Sequence, residues 1–136
     1  MKQFKFIGHS ADVRLYVEGS TREEFFAAAL TGMSQIITPH QCSQDLNEQV
    51  EIKVSAPDLT VLLIDFLSDV LTRIQVTKKL FCVVDFIALN DTTLHARLYG
   101  HTDEHFEEDI KAVTYHEADV KKNDRGNYET VIIFDV

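Results

Sequence analysis

One apolar helical stripe most constrains how this chain can fold. From residue 58 to residue 74 large apolar side chains recur at helical spacing, whereas Asp65, Ser68 and Thr72 lie on the opposite face. The stripe consists of Leu62, Leu63, Phe66, Leu67, Val70, Leu71 and Ile74. A helix with so broad an apolar face must bury it against other elements of the fold. The pattern therefore predicts a long helix that packs on a sheet.

A second helix and several strands are predicted around this one. A capping signature, Ser20 followed by Glu23 or Thr21 followed by Glu24, opens an apolar helical pattern that stops before Pro39. Alternation of apolar and polar residues, or continuous apolar runs, indicate strands. These predicted strands span residues 4–7, 13–18, 50–55, 80–89, 94–99, 112–120 and 128–136.

Two helices and about seven strands, mostly hairpin-linked, predict an α+β fold with the helices packed on a largely antiparallel (mixed) β-sheet. No linker or change of composition interrupts residues 1–136, so a single domain is expected. The order strand, turn, helix occurs twice before residue 75, which hints at an internally duplicated half-domain.

The net charge limits the function. The chain has 13 Lys and Arg against 22 Asp and Glu, a formal charge of −9. Broad binding to phosphate backbones needs clustered basic residues, so no direct sequence-specific nucleic-acid binding is expected. An acidic chain can still hold a cation site or meet a basic protein partner.

The cysteine pattern and the hydropathy indicate a cytoplasmic protein. Cys42 and Cys82 form no CxxC pair and are too few for a disulfide scaffold, so they are interpreted as reduced thiols. No apolar run approaches the roughly 20 residues of a membrane span, and residues 1–8 contain no apolar signal-peptide region. The expectation is a soluble protein.

The C-terminal segment carries the clearest candidate site. Asp135 lies on the same strand face as Ile133, at the edge of an otherwise apolar strand, and the carboxylate of Val136 is one residue away. Oxygen clusters of this kind suit hard divalent cations. The alternative is a frayed terminus with both groups in water. Asp12 is a second candidate, although a carboxylate before a strand also commonly caps a turn.

Other familiar site patterns are absent or weak. The sequence contains no Gly-rich nucleotide loop, no GxSxG nucleophile turn and no HExxH helix. His101 and His105 are four residues apart and would suit a metal on a helix, but their acidic surroundings favour a solvated loop.

Four segments in order resemble the archease family. His9-Ser-Ala-Asp12 is similar to its H-[TS]-A-D motif, residues 111–116 (KAVTYH) to its K-A-[VI]-T-Y motif, and residues 134–136 (FDV) to its acidic ending. Residues 58–71 resemble its [DE]-L-x-x-L-L-x-x-[WF]-L-x-[DE]-x-L helix. The chain departs from the family pattern at three positions. Gly8 replaces a frequent Asp, Phe66 a frequent Trp, and Asp69 a common Glu.

The resemblance implies a role and a metal site. Archeases are accessory proteins of the RNA ligase that joins 2′,3′-cyclic-phosphate or 3′-phosphate ends to 5′-hydroxyl ends, and they promote its GTP-dependent guanylylation and repeated turnover in tRNA splicing or RNA repair. Carried over, the ligands of a divalent metal ion (Ca²⁺, Mg²⁺ or Mn²⁺) are Asp12, Asp135 and the main-chain oxygen of Val136. The protein itself would not be an enzyme.

Further residues have two interpretations each. His9 would orient Asp12 or face the partner, or else be a structural histidine. Lys111 would pair with the carboxylates or contact a phosphate, or else be a surface lysine. Asp69 is a candidate at the rim of the core, and His116 is interpreted as structural.

Two other functions remain open at this point. One is a chaperone-like modulator of an RNA-modifying enzyme, such as a tRNA methyltransferase, that acts by protein contact. The other is a metal-dependent hydrolase, for which the chain offers no evident nucleophile or general base.

Overall fold

The structure is a computed structural model that describes residues 2–7, 12–39, 42, 45–102, 106 and 108–136. Within these residues the α+β prediction is confirmed, with helices α1 (Arg22–Ile37) and α2 (Leu59–Thr77). The strands are β1 (Lys2–Ile7), β2 (Val13–Gly19), β3 (Glu48–Ser55), β4 (Lys79–Leu89), β5 (Thr93–Thr102), β6 (Ala112–Thr114), β7 (Lys121–Lys122) and β8 (Tyr128–Asp135). Over the same residues, neither helix combines the length and the apolar composition that a membrane crossing requires.

Side-chain caps start both helices. The Thr21 hydroxyl accepts a hydrogen bond from the Glu24 amide at 3.1 Å, and the Ser20 hydroxyl donates to the Glu24 carboxylate at 2.6 Å. At α2, the Asp58 carboxylate accepts from the Val61 amide at 2.9 Å. The capping signature predicted for α1 is therefore confirmed.

The strands form two sheets, not the one sheet expected from the sequence. The five-stranded sheet has the order β1-β2-β8-β6, with β7 also paired to β8, and the three-stranded sheet has the order β3-β5-β4. Every pairing is antiparallel. The predicted repetition of strand and helix is present as β2–α1 and β3–α2, but β2 and β3 lie in different sheets.

Both helices contact strands of both sheets, so one core connects the layers. The aromatic rings of Phe26, Phe66 and Phe86 contact one another and join α1, α2 and β4. The seven residues of the apolar stripe are all at most 5% exposed, as the periodicity predicts.

The predicted strand at 112–120 is interrupted. Residues 115–120 leave the backbone ladder of β8, because their polar groups bond to side chains instead. The Val120 amide donates to the Thr60 hydroxyl at 3.0 Å, and the Asp119 amide donates to the Thr130 hydroxyl at 2.9 Å. The Tyr115 hydroxyl donates to the Asp65 carboxylate on α2. The chain therefore forms β6 and β7 instead of one continuous strand.

Glu18 is fully buried although it belongs to the polar face of β2. Its carboxylate accepts two hydrogen bonds from the Arg125 guanidinium through Nη2, at 3.0 and 2.8 Å, and a third through Nε at 3.0 Å. The amides of Asn127, Asn123 and Gln3 donate at 2.8, 2.7 and 2.6 Å. The turn between β7 and β8 thus covers a carboxylate that the alternation alone would leave in water.

These donors stabilise the ionised carboxylate. Hydrogen bonds from Asn127 and Asn123, together with those from Arg125 and Gln3, hold the pKa of Glu18 far below its ordinary value, although desolvation opposes them. Burial, and the hydrogen bond that its hydroxyl donates to Glu18, raise the pKa of Tyr16 to about 12.

The cysteine interpretation is wrong in this structure, where Cys42 and Cys82 form a disulfide with their Cα atoms 6.1 Å apart. That separation is within the usual range for a disulfide. The two residues are 40 positions apart in the sequence, so no local spacing indicates the pairing. It arises because Cys42, which precedes β3, lies against Cys82 on β4.

We predict that Glu18→Gln lowers the melting temperature at pH 7 by roughly 10 °C, because the buried donors lose their anionic partner. Since the folded pKa of Glu18 is depressed, its contribution is complete above the unfolded pKa of about 4.3 and is lost as the pH falls. The variant should therefore lose less stability than the parent between neutral and acidic pH.

Thermal unfolding monitored by circular dichroism across this pH range measures both effects. Glu23→Gln, which alters an exposed glutamate in the first turn of α1, is the matched control. Equal pH dependence in the parent protein and Glu18→Gln would refute this role.

Candidate functional site

The two ends of the chain meet at the centre of the five-stranded sheet. Strand β8 lies between β2 and β6. Its antiparallel register pairs Val13 with Phe134. Asp12, just before β2, and Asp135, the last residue of β8, are therefore neighbours across the two strands.

Strand parity places both aspartates on the outer face of this sheet. Leu15, Ile132 and Phe134 point to the core and are completely buried, whereas Asp12 and Asp135 are exposed. The outer face here contains a cavity of about 560 Å³. It is lined by Asp12, Arg14, Thr114, His116, Glu117, Ile133 and Asp135.

The remaining lining residues hold one another in place. Arg14 pairs with Glu117 at 2.8 Å. The Thr114 hydroxyl donates to the Ile133 carbonyl at 3.0 Å and accepts from the His116 amide at 3.3 Å. Because Arg14 and Glu117 neutralise each other, the two aspartates dominate the charge of the cavity.

Sequence reasoning missed Arg14 and Glu117, and it treated His116 as structural, whereas His116 is exposed and lines the cavity. The sequence could have placed Arg14 beside Asp12, because residues two apart on a strand share a face and Arg14 follows Asp12 by two. No sequence pattern could have placed Glu117 there, because it reaches the cavity only where residues 115–120 leave the ladder of β8.

Other predicted residues are placed differently. Val136 is half-buried, packs against the core and is not among the residues that line the cavity. Lys111 has an exposed side chain, and its amide donates to the Asp135 carbonyl at 2.7 Å. Asp69 pairs with Arg73 on α2 at 3.2 Å, away from the cavity. His9 lies outside the described residues.

The donor set fits a hydrated hard cation. Mg²⁺ commonly binds through one or two carboxylates and keeps several waters, and two exposed carboxylates on an open cavity provide that arrangement. The lining contains three carboxylates and one guanidinium, so oxygen donors predominate among its charged groups. Among the described side chains, however, no third His, Cys, Asp or Glu joins Asp12 and Asp135 in a compact ligand group.

Another cavity, of about 600 Å³, lies elsewhere on the surface and includes Arg22, Asp91, Lys121, Lys122 and Tyr128 in its lining. Its charged groups are already engaged. Arg22 and Asp91 form an ion pair at 2.7 Å, and the Lys122 ammonium lies 5.0 Å from the centre of the Tyr128 ring. We therefore assign the candidate site to the cavity where Asp12 and Asp135 lie together.

These features define a small α+β protein whose chain ends bring two carboxylates to one sheet face. A model described as the Archease protein family (MTH1598/TM1083) matches residues 4–136. The chain belongs to the archease family. It is 33% identical to Protein archease of Methanosarcina barkeri over 141 residues, covering 97% of this chain and 95% of that protein. It is 29% identical to Protein archease of Sulfolobus acidocaldarius over 141 residues, with both chains fully covered.

Solved structures share the fold. The solution structure of Methanobacterium thermoautotrophicum protein 1598 superposes with a TM-score of 0.72 at 23% identity, covering 98% of each chain. The crystal structure of a Thermotoga maritima protein described as an archease and possible chaperone gives a TM-score of 0.66 at 19% identity, covering 97% of this chain and 96% of that one.

We predict that Asp135→Asn weakens Mn²⁺ binding by roughly 10-fold or more, because one of two carboxylate ligands is lost. Paramagnetic broadening of the Val13 and Phe134 amide resonances during a Mn²⁺ titration reports binding at this cavity. Asp69→Asn, an aspartate on α2, is the control and should behave as the parent protein. Undiminished broadening in Asp135→Asn would exclude the site.

Proposed function

We propose that this protein is an accessory factor that activates an RNA ligase. Its role would be to promote GTP-dependent guanylylation and multiple turnover of a ligase that joins 2′,3′-cyclic-phosphate or 3′-phosphate ends to 5′-hydroxyl ends. The observation that carries the proposal is the meeting of Asp12 and Asp135 at one open cavity, in a chain that belongs to the archease family.

The site residues have distinct tasks in this proposal. Asp12 and Asp135 hold the cation, with the main-chain oxygen of Val136 as a further donor. A bound divalent cation supplies positive charge for the phosphates of GTP when the ligase is guanylylated. Arg14 and Glu117 keep the rim of the cavity in place, and Lys111 lies beside Asp135, where its ammonium can meet a phosphate or the partner.

The charge distribution supports a protein partner that binds the RNA itself. The chain carries a net charge of −9, so it would attract a basic RNA-binding enzyme and would be repelled by bare RNA. The site also lies on the outer face of the sheet, where a large partner can reach it. We place the complex in the cytoplasm, and we assign no catalytic reaction to this chain alone.

A second candidate, a chaperone-like modulator of an RNA-modifying enzyme, is favoured by exposed apolar side chains. Val83 and Ile87 on β4 are 39% and 49% exposed, and Phe6 on β1 is 48% exposed. Apolar groups on an open sheet face can contact another protein without any metal. This function would depend on Ile87 and not on Asp135.

The test is the transfer of GMP to a purified RNA ligase from α-labelled GTP with Mg²⁺ or Mn²⁺. We predict that the parent protein accelerates labelling and that Asp12→Asn and Asp135→Asn lose at least about 10-fold of the acceleration, since each removes a cation ligand. Asp69→Asn should retain it.

The controls separate the three functions. Acceleration that survives both aspartate changes but is lost in Ile87→Ser would favour the chaperone-like function. Turnover of GTP or a phosphoester by this protein alone would favour the hydrolase.

A further inference from the structure

A second group of potential ligands lies on the three-stranded sheet, apart from the acidic cavity. Cys42 precedes β3, Cys82 lies on β4 and His101 on β5. Their ligand atoms all lie within 4.8 Å of one another. In the part of the chain that the structure describes, this is the one group of three His, Cys, Asp or Glu side chains so close together.

The pairing of β4 with β5 is irregular at the position of this group. Leu80 pairs with His101, and the register then shifts between Phe81 and Val83, so Cys82 is the extra residue of a β-bulge. Bulges redirect side chains, and here three consecutive residues, Leu80 to Cys82, are buried. Gly100 allows the close approach, because a Cβ there would collide with the Leu80 carbonyl.

One ring nitrogen of His101 is available as a ligand. Its Nδ1 lies 3.1 Å from the carbonyl oxygen of Thr102, and a carbonyl only accepts, so Nδ1 carries the proton. The neutral ring then has a lone pair on Nε2. This atom is buried and has no hydrogen-bond partner among the described residues. A second-shell carbonyl that fixes the tautomer is the usual arrangement around a metal-bound histidine.

We infer that Cys42, Cys82 and His101 form a binding site for a thiophilic divalent cation of the Zn²⁺ type when the disulfide is reduced. Zn²⁺ binds sulfur at about 2.3 Å and imidazole nitrogen at about 2.0 Å in a tetrahedron, which sets neighbouring ligand atoms about 3.5–3.8 Å apart. The observed spacing allows this with small side-chain movements. Two thiolates and one imidazole leave a fourth position for water, and they select Zn²⁺ over Mg²⁺ or Ca²⁺.

Oxidation and metal binding exclude each other at this site. Opening the disulfide takes two electrons and two protons from a dithiol reductant, which itself becomes a disulfide. Zn²⁺ then displaces the two thiol protons and forms two Zn–S bonds. The disulfide and the Zn²⁺ complex are thus two alternative ways of joining Cys42, which precedes β3, to Cys82 on β4.

The test is a Zn²⁺ titration of the full chain, reduced with dithiothreitol and then freed of reductant without air, against a chromophoric chelator. We expect one high-affinity Zn²⁺ per reduced chain and none in the oxidised chain. His101→Ala should weaken binding at least about 100-fold, more than the loss of a second-shell contact. His95→Ala, a histidine of the same strand outside the group, should bind as the parent protein.

A second measurement needs no variant. In the reduced parent protein, Zn²⁺ should slow alkylation of Cys42 and Cys82 by iodoacetamide, as followed by mass spectrometry, whereas Mg²⁺ should not. Absence of a high-affinity Zn²⁺ in the reduced chain, or equal affinity in the parent and a folded His101→Ala, would overturn the assignment. Co²⁺ should give the visible absorption of a tetrahedral thiolate site.

Discussion

The ion pair between buried Glu18 and Arg125 connects the turn after β7 to β2, and it holds one end of the strand ladder whose other end carries the acidic site. Glu18 lies opposite Glu129, a pairing of like charges that would be unfavourable without the guanidinium and the three amides. The same ladder pairs Val13 with Phe134 at its other end. Because a slip by one residue reverses every side chain, the interactions of Glu18 help to keep Asp12 and Asp135 on one face.

The helices and strands were predictable from the sequence, whereas the pairing of the strands and the groups that cover Glu18 were not. Thr21, Asp58 and the apolar stripe carry the information for both helices within a few residues of sequence. The alternation predicted over residues 13–18 puts Glu18 on the outer face of β2. Its burial could not be predicted, because the groups of Asn123, Arg125 and Asn127 that cover it are more than a hundred residues away in sequence. The division into two sheets is likewise set by which strands pair over long distances.

The candidate site was only partly predictable, because local patterns indicate some of its residues and long-range contacts place the others. Asp135 stood out because a carboxylate ends an apolar strand, and the resemblance to archeases connected it with Asp12. No sequence pattern assigned Glu117 to the site, because it reaches the cavity only where residues 115–120 no longer pair with β8. The sequence pattern did not indicate the Cys42–Cys82 contact either, because the two cysteines are 40 positions apart and meet only in the folded chain. In both cases a tertiary contact determines where the residue lies, and the local sequence pattern does not indicate it.

The two groups of ligands differ in what they can meet. Asp12 and Asp135 are exposed and line an open cavity on the outer face of the sheet, so a cation held there would be able to contact the phosphates of a large partner. Cys82 is 7% exposed, and the Nε2 atom of His101 is buried, so a metal there would face the interior of the protein. In the proposed roles, the acidic cavity would therefore meet the partner, whereas the Cys42–Cys82–His101 group would act within the fold. Oxygen donors at the first site and sulfur donors at the second favour different classes of metal.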